Sequence, residues 1–295
     1  ITVSGNRTAG ALEPPDPPPP PPSGLVPGHY WMLDAGAVDR ELATALFYWD
    51  ELEPTAGNYN WAIVDSWLSD HPDGIIQVFF HTSGMDGAVN FPLHLPPGVP
   101  YYTITNNGKQ ANIPAYDSST FRSRYIAFIQ AFGARYNGHP VIANLGLDGE
   151  SQCAKTQDGV DWVTACYGTV ANAVPYRFRT TYLTEILTAY AQAFPDSVVL
   201  VNCAPGGTDT RKAILPLAID LGLGLKHSGL IEDTDGWLGY DTDQNPPTLE
   251  GVLAGTYTGL LGLWDIIRMG KEAGLTIVTE SAYGYSADPL KALRS

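Results

Sequence analysis

Basic residues are scarce in this chain: 16 Lys plus Arg stand against 31 Asp plus Glu, a formal net charge of -15. A polyanion would be repelled, so nucleic acid is excluded as a partner. No apolar run reaches the roughly 18 residues that a membrane-spanning helix needs, so no membrane span is expected. Cysteine is limited to three residues, and their spacing matches neither a zinc ribbon nor a CxxC redox pair. There is no Walker loop, no GxGxxG after a strand, no HExxH and no GxSxG elbow. Phosphate-cradling, dinucleotide, zinc-protease and serine-hydrolase chemistries therefore lose their usual carriers. The run Asp241 to Asn245 begins like a calcium loop but lacks the glycine its sharp turn needs. Neither a metal nor a cofactor is expected.

What is present divides unevenly. Residues 1–24 include a proline run from Pro14 to Pro22, broken only by Asp16. Such a run favours polyproline II and forms neither helix nor central strand, so it reads as a stiff linker. Asn6-Arg7-Thr8 is a formal glycosylation sequon. The chain starts at Ile1 without Met or a basic-then-apolar segment, so any export signal is expected either to have been removed or to lie outside this sequence. Cys153 and Cys166 share one short polar stretch, where a disulfide would close the loop and point to an oxidising compartment. Cys203 ends an apolar run and reads as a buried thiol. A secreted or cell-surface protein is the expectation.

From residue 25 to 295 short apolar runs alternate with helix-patterned segments, the mark of βα units. Strand candidates fall at 29–35, 45–51, 74–82, 141–150, 197–205, 222–229 and 275–282. Amphipathic helices are expected over 119–137, 175–194 and 257–274, the first from Phe121, Tyr125, Phe128, Ile129 and Phe132 at helical spacing. Seven strands fit an α/β (β/α)8 TIM-type barrel better than an open sheet. Only ten residues follow Tyr285, so either the barrel is incomplete at its C-terminal end or one strand escapes the pattern. Residues 83–118 form a long connection rich in Gly and Pro, and long βα loops shape the cleft on the active face of a barrel.

Several strand candidates end in polar residues: Trp49, Asp50 and Glu51; His81; Asp148 and Glu150; Asn202; His227; Glu280. In a parallel barrel all these ends face one side and can converge. Two Glu residues on separate strand ends suit glycosidic hydrolysis, which needs one carboxyl to protonate the leaving oxygen. The other attacks the anomeric carbon or activates water. Each has a bland rival in a solvated strand end or a loop cap. Asp148 either tunes Glu150 by like-charge proximity or is itself the acid. Glu51 reads as an orienting group. His81, Asn202 and His227 are candidate hydroxyl binders. Trp49, Trp237 and Tyr283 are candidate sugar-stacking rings, with packing as the rival role.

The stretch 47–68 carries Trp49, Leu52, Glu53, Pro54, Gly57, Tyr59, Trp61 and Asp65. It resembles the W-x-x-L-E-P-x-x-G-x-Y-x-W-x-x-x-D segment at strand two of clan A glycoside hydrolases, the clan of the barrel beta-galactosidases and cellulases. By that resemblance Glu150 matches the acid/base at the end of strand four and Glu280 the nucleophile at the end of strand seven. The resemblance implies a retaining glycosidase acting on an oligo- or polysaccharide. The clan usually carries Asn directly before the acid/base; here that position is Gly149. A second reading is a non-catalytic carbohydrate-binding or structural barrel module of a surface assembly. A third, a barrel hydrolase of esters or amides, has no motif to support it.

Overall fold

The computed structural model describes residues 31–33, 43–80, 93–106, 108–146, 179–202, 208–230 and 247–281. The expected linker at 1–24 and the Cys153, Cys166 and Cys203 thiols lie outside these residues.

Seven strands form one sheet: β1 Trp31–Leu33, β2 Ala43–Tyr48, β3 Ile75–Phe79, β6 Val141–Ala143, β7 Val199–Asn202, β8 Gly224–Leu230 and β9 Ile277–Ser281. Every pairing is parallel, and the spatial order follows the chain. A doubly wound sheet reverses its order at a switch point. This one never does, which is the winding of a (β/α) barrel. Strands β4 Tyr101–Asn106 and β5 Lys109–Pro114 form a separate antiparallel hairpin between β3 and the helix that follows. An eighth barrel strand is not among the described residues. No helix among them is long and apolar enough to cross a membrane.

The helices are α1 Trp49–Leu52, α2 Ala62–Asp70, α3 Ser119–Tyr136, α4 Thr180–Ala193, α5 Thr208–Leu221, α6 Leu249–Leu253 and α7 Leu263–Glu272. Helix α3 buries the stripe Phe121, Tyr125, Phe128, Ile129, Phe132 and Tyr136. This is the face its spacing predicts, because residues three and four apart stack along one side of a helix. Gly133 lets α3 meet α4 closely: a Cβ there would lie 2.2 Å from the carbonyl oxygen of Ala193.

Strand residues alternate between two apolar clusters, as successive side chains must. Ile76, Val78, Val141, Ala143, Val201 and Leu225 join the large cluster under the helices. Ile75, Ile142 and Leu200 form a small one on the opposite face, with Val198 and Val278 against it. Burial on both faces explains why these strands read as unbroken apolar runs rather than alternating ones.

Three sequence expectations change. The strand expected over 141–150 ends at Ala143, because Asn144 turns its side chain to the backbone and Gly146 adopts φ +69°. The strand expected over 45–51 ends at Tyr48, and Trp49 starts the short helix α1. The connection at 83–118 contains the β4–β5 hairpin, which Gly108 at φ +76° turns.

Candidate active site

The C-terminal strand ends build the candidate site from a firm base. The Trp49-to-Asp65 segment forms that base. Glu53 is 2% exposed and accepts from three donors: Trp49 Nε1 at 2.8 Å, the Gly57 amide at 2.8 Å and Arg124 Nη2 at 3.0 Å. A buried carboxylate holds its place when its lone pairs are filled in this way. Asp65 accepts from Arg135 Nε at 3.1 Å and from the Tyr136 hydroxyl at 2.8 Å. The charged partners thus clamp the turn after β2 onto α3. Tyr59 and Trp61 stack at 4.8 Å between ring centres and lie against Phe128.

Trp49 corrects an expectation. Its ring is fully buried among Phe80, Phe121, Tyr125 and Phe128. With its N–H on Glu53 it has no face left for a pyranose, so it is a core residue. Glu51, two residues on, is exposed at the same strand end.

Above β6 a hydrogen-bonded network fixes the backbone from Asn144 to Gly146. Asn144 Nδ2 donates to the Val78 carbonyl at 2.9 Å, and its Oδ1 accepts from the Gly146 amide at 2.7 Å. Tyr125 donates to the Asn144 carbonyl at 2.8 Å and meets the Tyr190 hydroxyl at 2.9 Å. Burial pushes both phenols up, Tyr190 to about 12. Gly146 lies so close to Tyr116 that a Cβ would sit 2.6 Å from its ring.

Across the sheet, Gln77, Asn144, Asn202 and Lys226 are buried polar residues on β3, just past β6, on β7 and on β8. Asn202 pairs in register with Lys226. Asn202 therefore stands where the sequence placed it, while Lys226 was missed because a lone Lys in an apolar run resembles a strand end. His227 pairs in register with Thr279, and Glu280 is the next residue on β9. The side chains of both lie outside the described residues, as do His81, Asp148, Glu150, Trp237 and Tyr283.

A pair that sequence reasoning also missed stands over β2 and β3. His94 Nδ1 lies 3.1 Å from Asp50 Oδ1, and its ring stacks on Tyr48 at 3.7 Å. The His94 amide donates to the Phe80 carbonyl at 2.7 Å. His94 sits in a proline-rich stretch with no period, where nothing local marks a site.

This winding, with its polar strand ends and folded Trp49-to-Asp65 turn, is that of a glycoside hydrolase barrel. Residues 37–192, just over half of the chain, match the beta-galactosidase family Glyco_hydro_42, and the chain belongs to that family. No curated protein matches it. Among solved structures it is similar to the catalytic domain of a beta-amylase from Paenibacillus polymyxa, at 11% identity and TM-score 0.48, over 86% of this chain and 82% of that one. A GH10 xylanase of Thermobacillus composti matches at 16% identity and TM-score 0.34, over 83% of this chain and 62% of that one. Endo-glycoceramidase II of Rhodococcus sp., captured as a lactosyl-enzyme intermediate, matches at 12% identity and TM-score 0.34, over 82% and 64%. The chain thus spans less than two thirds of these last two.

Proposed function

We propose that this glycoside hydrolase cleaves β-galactosides with retention, using Glu150 and Glu280. The family match over 37–192 carries the reading, since it takes in the strand end before Glu150. Glu150 protonates the glycosidic oxygen while the Glu280 carboxylate attacks the anomeric carbon. The aglycone leaves, and a galactosyl ester remains on Glu280. Water then gives a proton to Glu150, now a carboxylate, and its oxygen displaces Glu280 from the sugar. The two carboxyl groups need a separation of about 5–5.5 Å for this course. The neighbouring charges of Asp148 and Glu280 favour a neutral Glu150 at the start. His81, Asn202, His227, Trp237 and Tyr283 are proposed to line the sugar cleft. A secreted protein with a Cys153–Cys166 disulfide and a proline-rich linker to a larger surface assembly completes the proposal.

Gly149, where the clan carries Asn, favours a second reading: a barrel that binds sugar without turnover. Hydrolysis of 4-nitrophenyl β-D-galactopyranoside separates the two. The first reading expects activity that falls at least about a hundredfold in both Glu150→Gln and Glu280→Gln, with β-galactose as the first product seen by proton NMR. Folded wild-type protein that binds galactosides but turns none over would establish the second.

A further inference from the structure

We propose that the Asp50–His94 pair is a sugar-hydroxyl contact at the mouth of the barrel, resting on the glycosidase reading above. Tyr48 is the last residue of β2 and Asp50 lies two beyond it. The His94 amide binds the carbonyl of Phe80, the residue after β3. The imidazole therefore stands over the C-terminal ends of two adjacent strands, the side of a (β/α) barrel on which substrates bind.

The ring is held on three sides. Its backbone is tied to β3, its face lies on Tyr48 at 3.7 Å and 20° between planes, and its Nδ1 faces both carboxylate oxygens of Asp50, at 3.1 and 3.3 Å. A carboxylate opposite Nδ1 keeps the proton there, so the neutral ring presents Nε2 as an acceptor. Among the described residues no group meets Nε2. The side chain is 19% exposed and that of Asp50 34%. A ring fixed at this cost, with one nitrogen unspent, suits a ligand that donates a single hydrogen bond. A pyranose hydroxyl is such a donor. The same carboxylate would steady the ring against rotation, and a preorganised acceptor loses little entropy on binding.

The test uses 4-nitrophenyl β-D-galactopyranoside and its 2-, 3-, 4- and 6-deoxy analogues with wild type, His94→Ala, His94→Gln and Asp50→Asn. His94→Ala is expected to lower kcat/KM on the parent glycoside by about ten- to a hundredfold. On one deoxy analogue that loss should vanish, because wild type already lacks the bond there. Asp50→Asn should weaken the same hydroxyl contact by less. If His94→Ala does not fold, His94→Gln carries the comparison. An equal loss on all five substrates, or none, would overturn the contact while leaving the hydrolase reading intact. If wild type hydrolyses no galactoside, that reading fails, and the contact is judged by imidazole chemical shifts during titration with methyl β-D-galactopyranoside. A saturating shift of His94 supports it, and shifts that never move overturn it.

Discussion

The two flanks of the sheet are built differently. On the β2–α3 side, Phe80 and Phe121 pack edge to face on Trp49 and Tyr125 and Phe128 lie tilted against it, and Glu53 and Asp65 accept bonds from charged partners on α3. On the β9 side, α7 and the neighbouring strand surround an open cavity of about 610 Å³, lined by Trp264, Ile267, Arg268, Lys271, Leu275 and Ile277. Its Arg268–Glu272 pair is wet: the two side chains are each more than half exposed and 3.6 Å apart. The contrast teaches where stability resides. A charge enclosed by aromatic rings has to be matched, so its loss is felt by the whole flank, whereas a charge in water has solvent as a substitute partner.

Glu53→Ala should break the first flank most severely. It strands the Arg124 guanidinium, the Trp49 N–H and the Gly57 amide, at a cost of about 3–5 kcal/mol in urea unfolding. Gly146→Ala should cost about 1–3 kcal/mol, since the new Cβ meets Tyr116 and the backbone keeps φ +69°. It should also lower any glycosidase activity, because residues 147–150 start from that turn. Tyr190→Phe should cost about 1 kcal/mol by removing the bond between the two hydroxyls and the acceptor of the Asn144 amide. In wild type the raised phenol stays neutral in the fold after it would ionise in the unfolded chain. The stability this lends is full below about pH 10 and is lost as pH rises toward about 12, so the alkaline slope should be shallower in the variant, with the raised Tyr125 phenol keeping its own share. His139 is buried and its Nδ1 has no partner, and burial lowers its affinity for a proton. The unfolded chain therefore takes up the proton first as pH falls below about 6.5. Stability should decline there, and His139→Asn should flatten the decline in melting temperature against pH. Arg268→Ala, on the wet flank, should move stability by no more than about 0.5 kcal/mol. A large effect there would erase the contrast.

The pattern of apolar runs located all seven parallel strands among the described residues, because two-sided burial leaves a continuous signal in the chain. The α3 stripe was legible for the same reason, one period along. The ends of elements were not. Nothing local shows that the strand stops at Ala143 and the backbone turns at Gly146; the turn depends on Asn144 bonding across to Val78. The hairpin at 101–114 was hidden because polar, exposed strands such as β4 lack the apolar alternation that marks a buried one.

Residue types and their spacing by themselves determined the winding of the barrel, the α3 face and the family segment from Trp49 to Asp65. These rest on contacts between near neighbours or on burial, which composition records. Only the tertiary structure decided that Trp49 packs rather than stacks on sugar, that Lys226 is buried beside Asn202, and that His94 meets Asp50 across 44 residues of chain. Such contacts join strand ends brought together by the closing sheet, and no local pattern carries a distance between residues that far apart.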